Sequence, residues 1–154
     1  MLSTIINISY KNDFFVASSI IYSGSFTSGA TPSSQCTAWL TFQSQLVSRP
    51  YTSLTIRGSL DPTGITLTNP SFILGIANAL RTNTAYGPVS SNGYSWAVGI
   101  CAVSGSFYEL TATGSICGCS TGYTVRPCIG NTNWGGVNSG TCSGSSQTMT
   151  VIFT

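Results

Sequence analysis

Asp61 and Glu109 are the only carboxylates after residue 30. A carboxylate pair is what glycoside hydrolysis requires, one group as acid and the other as base or nucleophile. The chain has no histidine, so Ser-His-Asp and Cys-His arrangements and the commonest general base are all missing. Both carboxylates also have local explanations: Asp61 precedes Pro62 in a D-P-T-G turn, and Glu109 alternates with Tyr108 and Leu110 along a strand. Gly114 to Gly118 is not followed by the lysine and helix of a phosphate loop. No catalytic residue and no cofactor is expected.

The six cysteines, Cys36, Cys101, Cys117, Cys119, Cys128 and Cys142, are the second chemical feature. Zinc and iron–sulfur sites need C-x-x-C pairs or histidine, and Cys117-Gly118-Cys119 is C-x-C, so no metal is expected. Disulfides in an oxidising compartment fit better, with three bridges and a pairing that spacing leaves open. Cys36 has no other cysteine within 60 residues, so its bridge must tie the first third of the chain to the last.

A third feature is the loop from Gly130 to Asn138, where Trp134 lies among Asn131, Asn133 and Asn138. Sugars stack on aromatic rings while amides take their hydroxyls, so these four residues could bind carbohydrate. A tryptophan in such a loop also packs on the loop's own base. A single glycosylation sequon, Asn7-Ile8-Ser9, lies near the start of the chain.

Charge is scarce around these features. Five cations face three acids in 154 residues, a charged fraction of 5% and a net charge of +2. No basic patch exists to neutralise phosphates, which sets nucleic acid aside. Hydroxyls take the place of charge, with 25 Ser and 21 Thr. A surface with so little self-repulsion associates readily. No apolar run reaches the roughly 18 residues of a membrane-spanning helix.

The elements that must position these residues follow from periodicity and caps. Thr27 to Gln35 is small, polar and linker-like. A helix behind a Ser cap carries Cys36, Trp39, Leu40, Gln43, Leu46 and Val47 and ends near Arg49-Pro50. A strand spans 53–58, and Asp61 to Gly64 forms a turn. Asn69 caps a second helix with Pro70 at its first position and a stripe of Phe72, Ile73, Ile76, Ala77 and Leu80, closed near Asn83. Asn92-Gly93 is a hairpin turn into the alternating strand 94–101, and further strands are expected at 107–113, 122–127 and 148–154. The fold class is a β-rich α+β domain at 36–154: an antiparallel sheet or sandwich with two short helices and disulfides, joined by a linker at 27–35 to an extended N-terminal β arm.

The segments QCTAWLTF, SLTIRGSLDPTG, IANALRT, SWAVGIC, CGC, GYTVRPCIGN, NWGG and SQTMTV together resemble cysteine-containing modules of proteins secreted by microbial eukaryotes, over about residues 35–151. The resemblance implies an extracellular location and carries no activity.

The arm, residues 1–26, lies outside it. Its even positions hold Leu2, Ile6, Ile8, Tyr10, Phe14, Val16, Ile20, Tyr22 and Phe26, while the odd positions are mostly polar and include Asn7. This is period two, a strand with one apolar face and with the sequon on the other. A cleaved signal core at 14–22 has no need of such alternation, and Asp13 stands where positive charge is expected.

Fully extended, residues 2–26 would span about 80 Å, twice the roughly 35–40 Å width of the remaining globule. Alternatively, Lys11-Asn12-Asp13 turns the arm into a hairpin with Tyr10 opposite Phe14. The cover for its apolar face is either the domain's own sheet or the sheet of a second copy. The expectation is a secreted structural subunit that partners itself head to tail through this arm, in a filament or surface layer. The competing expectation is a secreted glycan-binding module built on Trp134.

Overall fold

The computed structural model describes residues 18–26, 33–100, 109–114, 122–128, 134–137 and 146–154. Nine strands and two helices occur among them: β1 (Ile20–Phe26), α1 (Ser33–Gln45), β2 (Leu54–Gly58), β3 (Asp61–Leu67), α2 (Pro70–Thr82), β4 (Tyr86–Ser91), β5 (Tyr94–Val98), β6 (Leu110–Thr113), β7 (Gly122–Arg126), β8 (Trp134–Val137) and β9 (Gln147–Phe153). They form a four-stranded sheet in the order β1-β9-β2-β3 and a five-stranded sheet in the order β4-β5-β6-β7-β8, with every pairing antiparallel.

Period-two alternation turns one face of each sheet inward. In the four-stranded sheet Tyr22, Val151, Ile56 and Ile65 share one row, and Ile20, Phe153, Leu54 and Leu67 share the next. In the five-stranded sheet the rows are Trp96, Ala112, Tyr123 and Val137, then Val98, Leu110 and Val125. All of these side chains except the half-buried Ile20 are buried, and they join the helices in one hydrophobic core. Gly58 lets the sheets approach, because a Cβ there would lie 2.5 Å from Cγ2 of Val137.

The second helix matches its sequence signals closely. The Asn69 side chain accepts from the Ser71 and Phe72 amides at 3.1 and 3.2 Å, Pro70 opens the helix, and Asn83 closes it in the left-handed region at φ 52°. Asn92 and Gly93, at φ 55° and 77°, form the expected hairpin turn between β4 and β5.

Elsewhere the structure corrects the sequence reading. The first helix begins at Ser33, inside the stretch read as linker, and ends at Gln45 rather than near Arg49-Pro50; its buried stripe is Trp39, Phe42 and Gln43, with Leu46 buried just past its end. Leu40 and Val47 are about half exposed, because the stripe is rotated toward Phe42, which packs on Trp39 and Phe153. The turn expected at Asp61 to Gly64 is instead the start of β3. Pro62 is tolerated there because β3 is an edge strand, and the reversal itself falls at Ser59–Leu60. Strand β4 also carries a proline at an edge and was not expected as a strand.

Candidate functional site

The C-terminal part of the arm belongs to the chain's own sheet. Strand β1 pairs along its length with β9, from Ile20 opposite Phe153 to Phe26 opposite Gln147. Tyr22 and Phe26 are buried, and Ile20 packs against the core. The parity expected from sequence holds here, since Ile21, Ser23 and Ser25 between them are exposed. Tyr22 meets Trp39 edge-on at 4.8 Å. Burial raises its phenol above the ordinary tyrosine value, and its hydroxyl oxygen is buried with no hydrogen-bond partner among the described residues. Leu2, Ile6, Ile8, Tyr10, Phe14, Val16 and Asn7 lie outside the described residues.

Two geometric facts follow. The strand order leaves one edge of β1 unpaired among the described strands. The row of Ile20, Phe153, Leu54 and Leu67 is the last of the sheet, because β9 and β3 end there and β2 begins there. A chain continuing β1 straight backward from Ile20 therefore passes beyond every strand of its own sheet.

At that corner lies an open cleft of about 560 Å³, walled by Ser18 to Ile21 on one side and by Gln45, Val47 and Arg49 on the other. Ile21 and Val47 are 55% and 51% exposed. Arg49 reaches across it: Nη2 donates to the Ser18 carbonyl at 2.7 Å, and the guanidinium carbon lies 5.0 Å from the Tyr51 ring centre. Nε of Arg49 is buried without an acceptor among the described residues. Tyr51 is fixed in turn by its hydroxyl, which donates to the Val47 carbonyl and accepts from the Val47 amide. Sequence reasoning used Arg49 only as a helix end. Its lone charge two residues after Val47 was the only local signal, and the exposure of Val47 is decided by tertiary packing.

The two carboxylates weighed for hydrolysis are engaged separately. Asp61 accepts from the Tyr123 hydroxyl at 2.5 Å and from the Gly64 amide at 3.1 Å. These bonds, Tyr123 first, hold its carboxyl below the usual range. The Tyr123 phenol is raised, mainly by burial and then by Asp61. Glu109 is buried beside β6. Burial lowers the Arg126 guanidinium, and the charge of Glu109 opposes that effect.

Cys36 on α1 is bonded to Cys128 just after β7, a closure of 92 residues that ties the first third of the chain to the last. Cys101, Cys117, Cys119 and Cys142 lie outside the described residues, as do Asn131, Asn133 and Asn138. Trp134 is not in a loop: it opens β8, an edge strand, with its backbone opposite Arg126. The Gly135-Gly136 pair hid that strand by removing the alternation. No helix among the described residues is long and apolar enough to cross a membrane. No family model matches the chain, and neither curated proteins nor solved structures yield a match.

Proposed function

We propose that this chain is a structural subunit of an extracellular assembly, joined to its neighbours through the N-terminal strand in a filament or surface layer. The observation that carries the reading is the place of β1. Its inward face is continuous in parity with Leu2 to Val16, yet the sheet runs out of rows at Ile20. Apolar side chains on an extended strand beyond that point need a cover from elsewhere, and accepting such a strand into a neighbouring sheet edge is a known means of providing it. The Cys36–Cys128 bond is of the kind formed in oxidising compartments and supports secretion. Asn7, on the polar parity of the arm, would hold a glycan away from the apolar face.

The test compares the full chain with one lacking residues 1–17 by size-exclusion chromatography and negative-stain microscopy. The full chain is expected to form oligomers and the shortened chain to be monomeric with a similar melting temperature, since β1 is kept. Val16→Asp should act like the deletion. Ile20→Asp is unsuitable, because Ile20 packs on the core and its loss would weaken the fold. A full chain that is monomeric at all concentrations defeats the proposal.

A further inference from the structure

We propose that the Arg49 cleft is the seat for residues 13–16 of a second copy of this chain, with the Asp13 carboxylate on the Arg49 guanidinium and the following apolar residues against Ile21 and Val47. This rests on the assembly reading above and names the contact that would make it specific.

The argument begins with charge. The chain has three acids and five cations. Asp61 is held by Tyr123 and Gly64, and the charge of Glu109, just before β6, acts on Arg126 at the end of the neighbouring β7. Arg81 lies against the Asn78 side chain in the last turn of α2, where a cation suits the helix dipole. Arg57 stands exposed on the outer face of β2. Arg49 differs from all of these. It is half-buried, spends one N–H on the Ser18 carbonyl, and has no carboxylate against it among the described residues; its Nε, like that of Arg126, is buried with no acceptor among them, but Arg126 has the charge of Glu109 nearby. A guanidinium presents five donors in a fork that matches a carboxylate, so a carboxylate in the cleft satisfies both the charge and the buried donor. The third acid, Asp13, lies on the arm outside the described residues.

The neighbours of both partners agree. Asp13 is followed directly by Phe14, Phe15 and Val16. Arg49 is flanked in the cleft by two aliphatic side chains that are more than half exposed. A carboxylate leading into apolar residues thus meets a cation beside an apolar wall. The volume of about 560 Å³ suits a short peptide segment.

A second copy is the source, rather than the chain's own arm, because Arg49 pins the chain at Ser18. Asp13 lies five residues upstream, and an arm that keeps the strand geometry of β1 carries it about 16 Å away at roughly 3.3 Å per residue. Each copy offers one arm and one cleft, so the contact repeats head to tail along an assembly.

Charge reversal tests this in the full chain. Asp13→Arg and Arg49→Glu are each expected to weaken self-association at least tenfold by analytical ultracentrifugation. An equimolar mixture is expected to restore it. The guanidinium introduced at position 13 of one chain then meets the carboxylate introduced at position 49 of the other, while the unchanged Asp13 meets the unchanged Arg49. Asp13→Asn should lose association while keeping the melting temperature of the unmodified chain, and Asp13→Glu should keep most of the association. Single variants that associate like the unmodified chain, or a mixture that stays monomeric while both variants are folded by circular dichroism, overturn the inference. If removing residues 1–17 abolishes association but Asp13→Asn does not, this pairing is wrong and the arm reading stands. If removal changes nothing, both fall.

Discussion

At the residue scale, the most informative polar groups are two tyrosines in opposite situations. Tyr22 has a buried hydroxyl without a hydrogen-bond partner among the described residues, whereas Tyr123 donates to Asp61 across the two sheets. A buried group without a partner carries a desolvation penalty of about 1–3 kcal/mol, so Tyr22→Phe should leave stability unchanged or raise it by up to about 1 kcal/mol in urea unfolding. Tyr22→Ala, which empties the site against Trp39 and Phe42, should lose about 3–5 kcal/mol. Asp61 gives a pH dependence. Its carboxyl is lowered in the folded state, so its contribution is present above the unfolded value near 4 and is lost as pH falls below that toward the folded value. Melting temperature measured from pH 7 to pH 2 should fall on the acid side, and Tyr123→Phe should flatten that fall because the Tyr123 hydrogen bond is its first cause.

At the scale of elements, legibility in the sequence tracked how local the cause was. The second helix could be bounded because Asn69, Pro70 and Asn83 act on their own backbone within a few residues. Asn69→Ala should therefore destabilise by about 1 kcal/mol, read from the urea midpoint at constant slope. Strand β5 and the inward parity of β1 were legible for the same reason, since alternation is a property of consecutive residues. The first helix was only half legible: its existence was clear, but Leu40 and Phe42 compete for the stripe, and the aromatic contacts of Phe42 with Trp39 and Phe153 decide it. Strands β3, β4 and β8 contain Pro62, Pro88 and Gly135-Gly136, residues that read as turns. They are strands because each lies at a sheet edge, where a neighbour supplies the pairing and a missing donor does no harm.

At the scale of the whole molecule, the Cys36–Cys128 bond links α1 to the end of β7 and closes 92 residues. Loop closure of that length restricts the unfolded chain by about 4–5 kcal/mol in the chain-entropy model. Replacing both cysteines with serine should lower stability by about 2–5 kcal/mol, measured by urea unfolding beside the unmodified protein. Gly58 sets a second molecular constraint: Gly58→Val would drive a side chain into Val137 and push the two sheets apart. The same scale holds the assembly reading, because an edge strand matters to a neighbour only through where its sheet ends.

The sequence by itself determined the β-rich class with two helices, the caps of the second helix, the apolar parity of the arm and the long reach of the Cys36 bridge. Each of these follows from periodicity, backbone chemistry or spacing along the chain. Only the tertiary structure decided that residues 20–26 complete their own sheet beside β9, that Trp134 opens an edge strand, and that Arg49 stands over a cleft without a carboxylate against it among the described residues. Strand order and charge neutralisation are relations between residues far apart in sequence, and no local pattern encodes which distant partner will arrive.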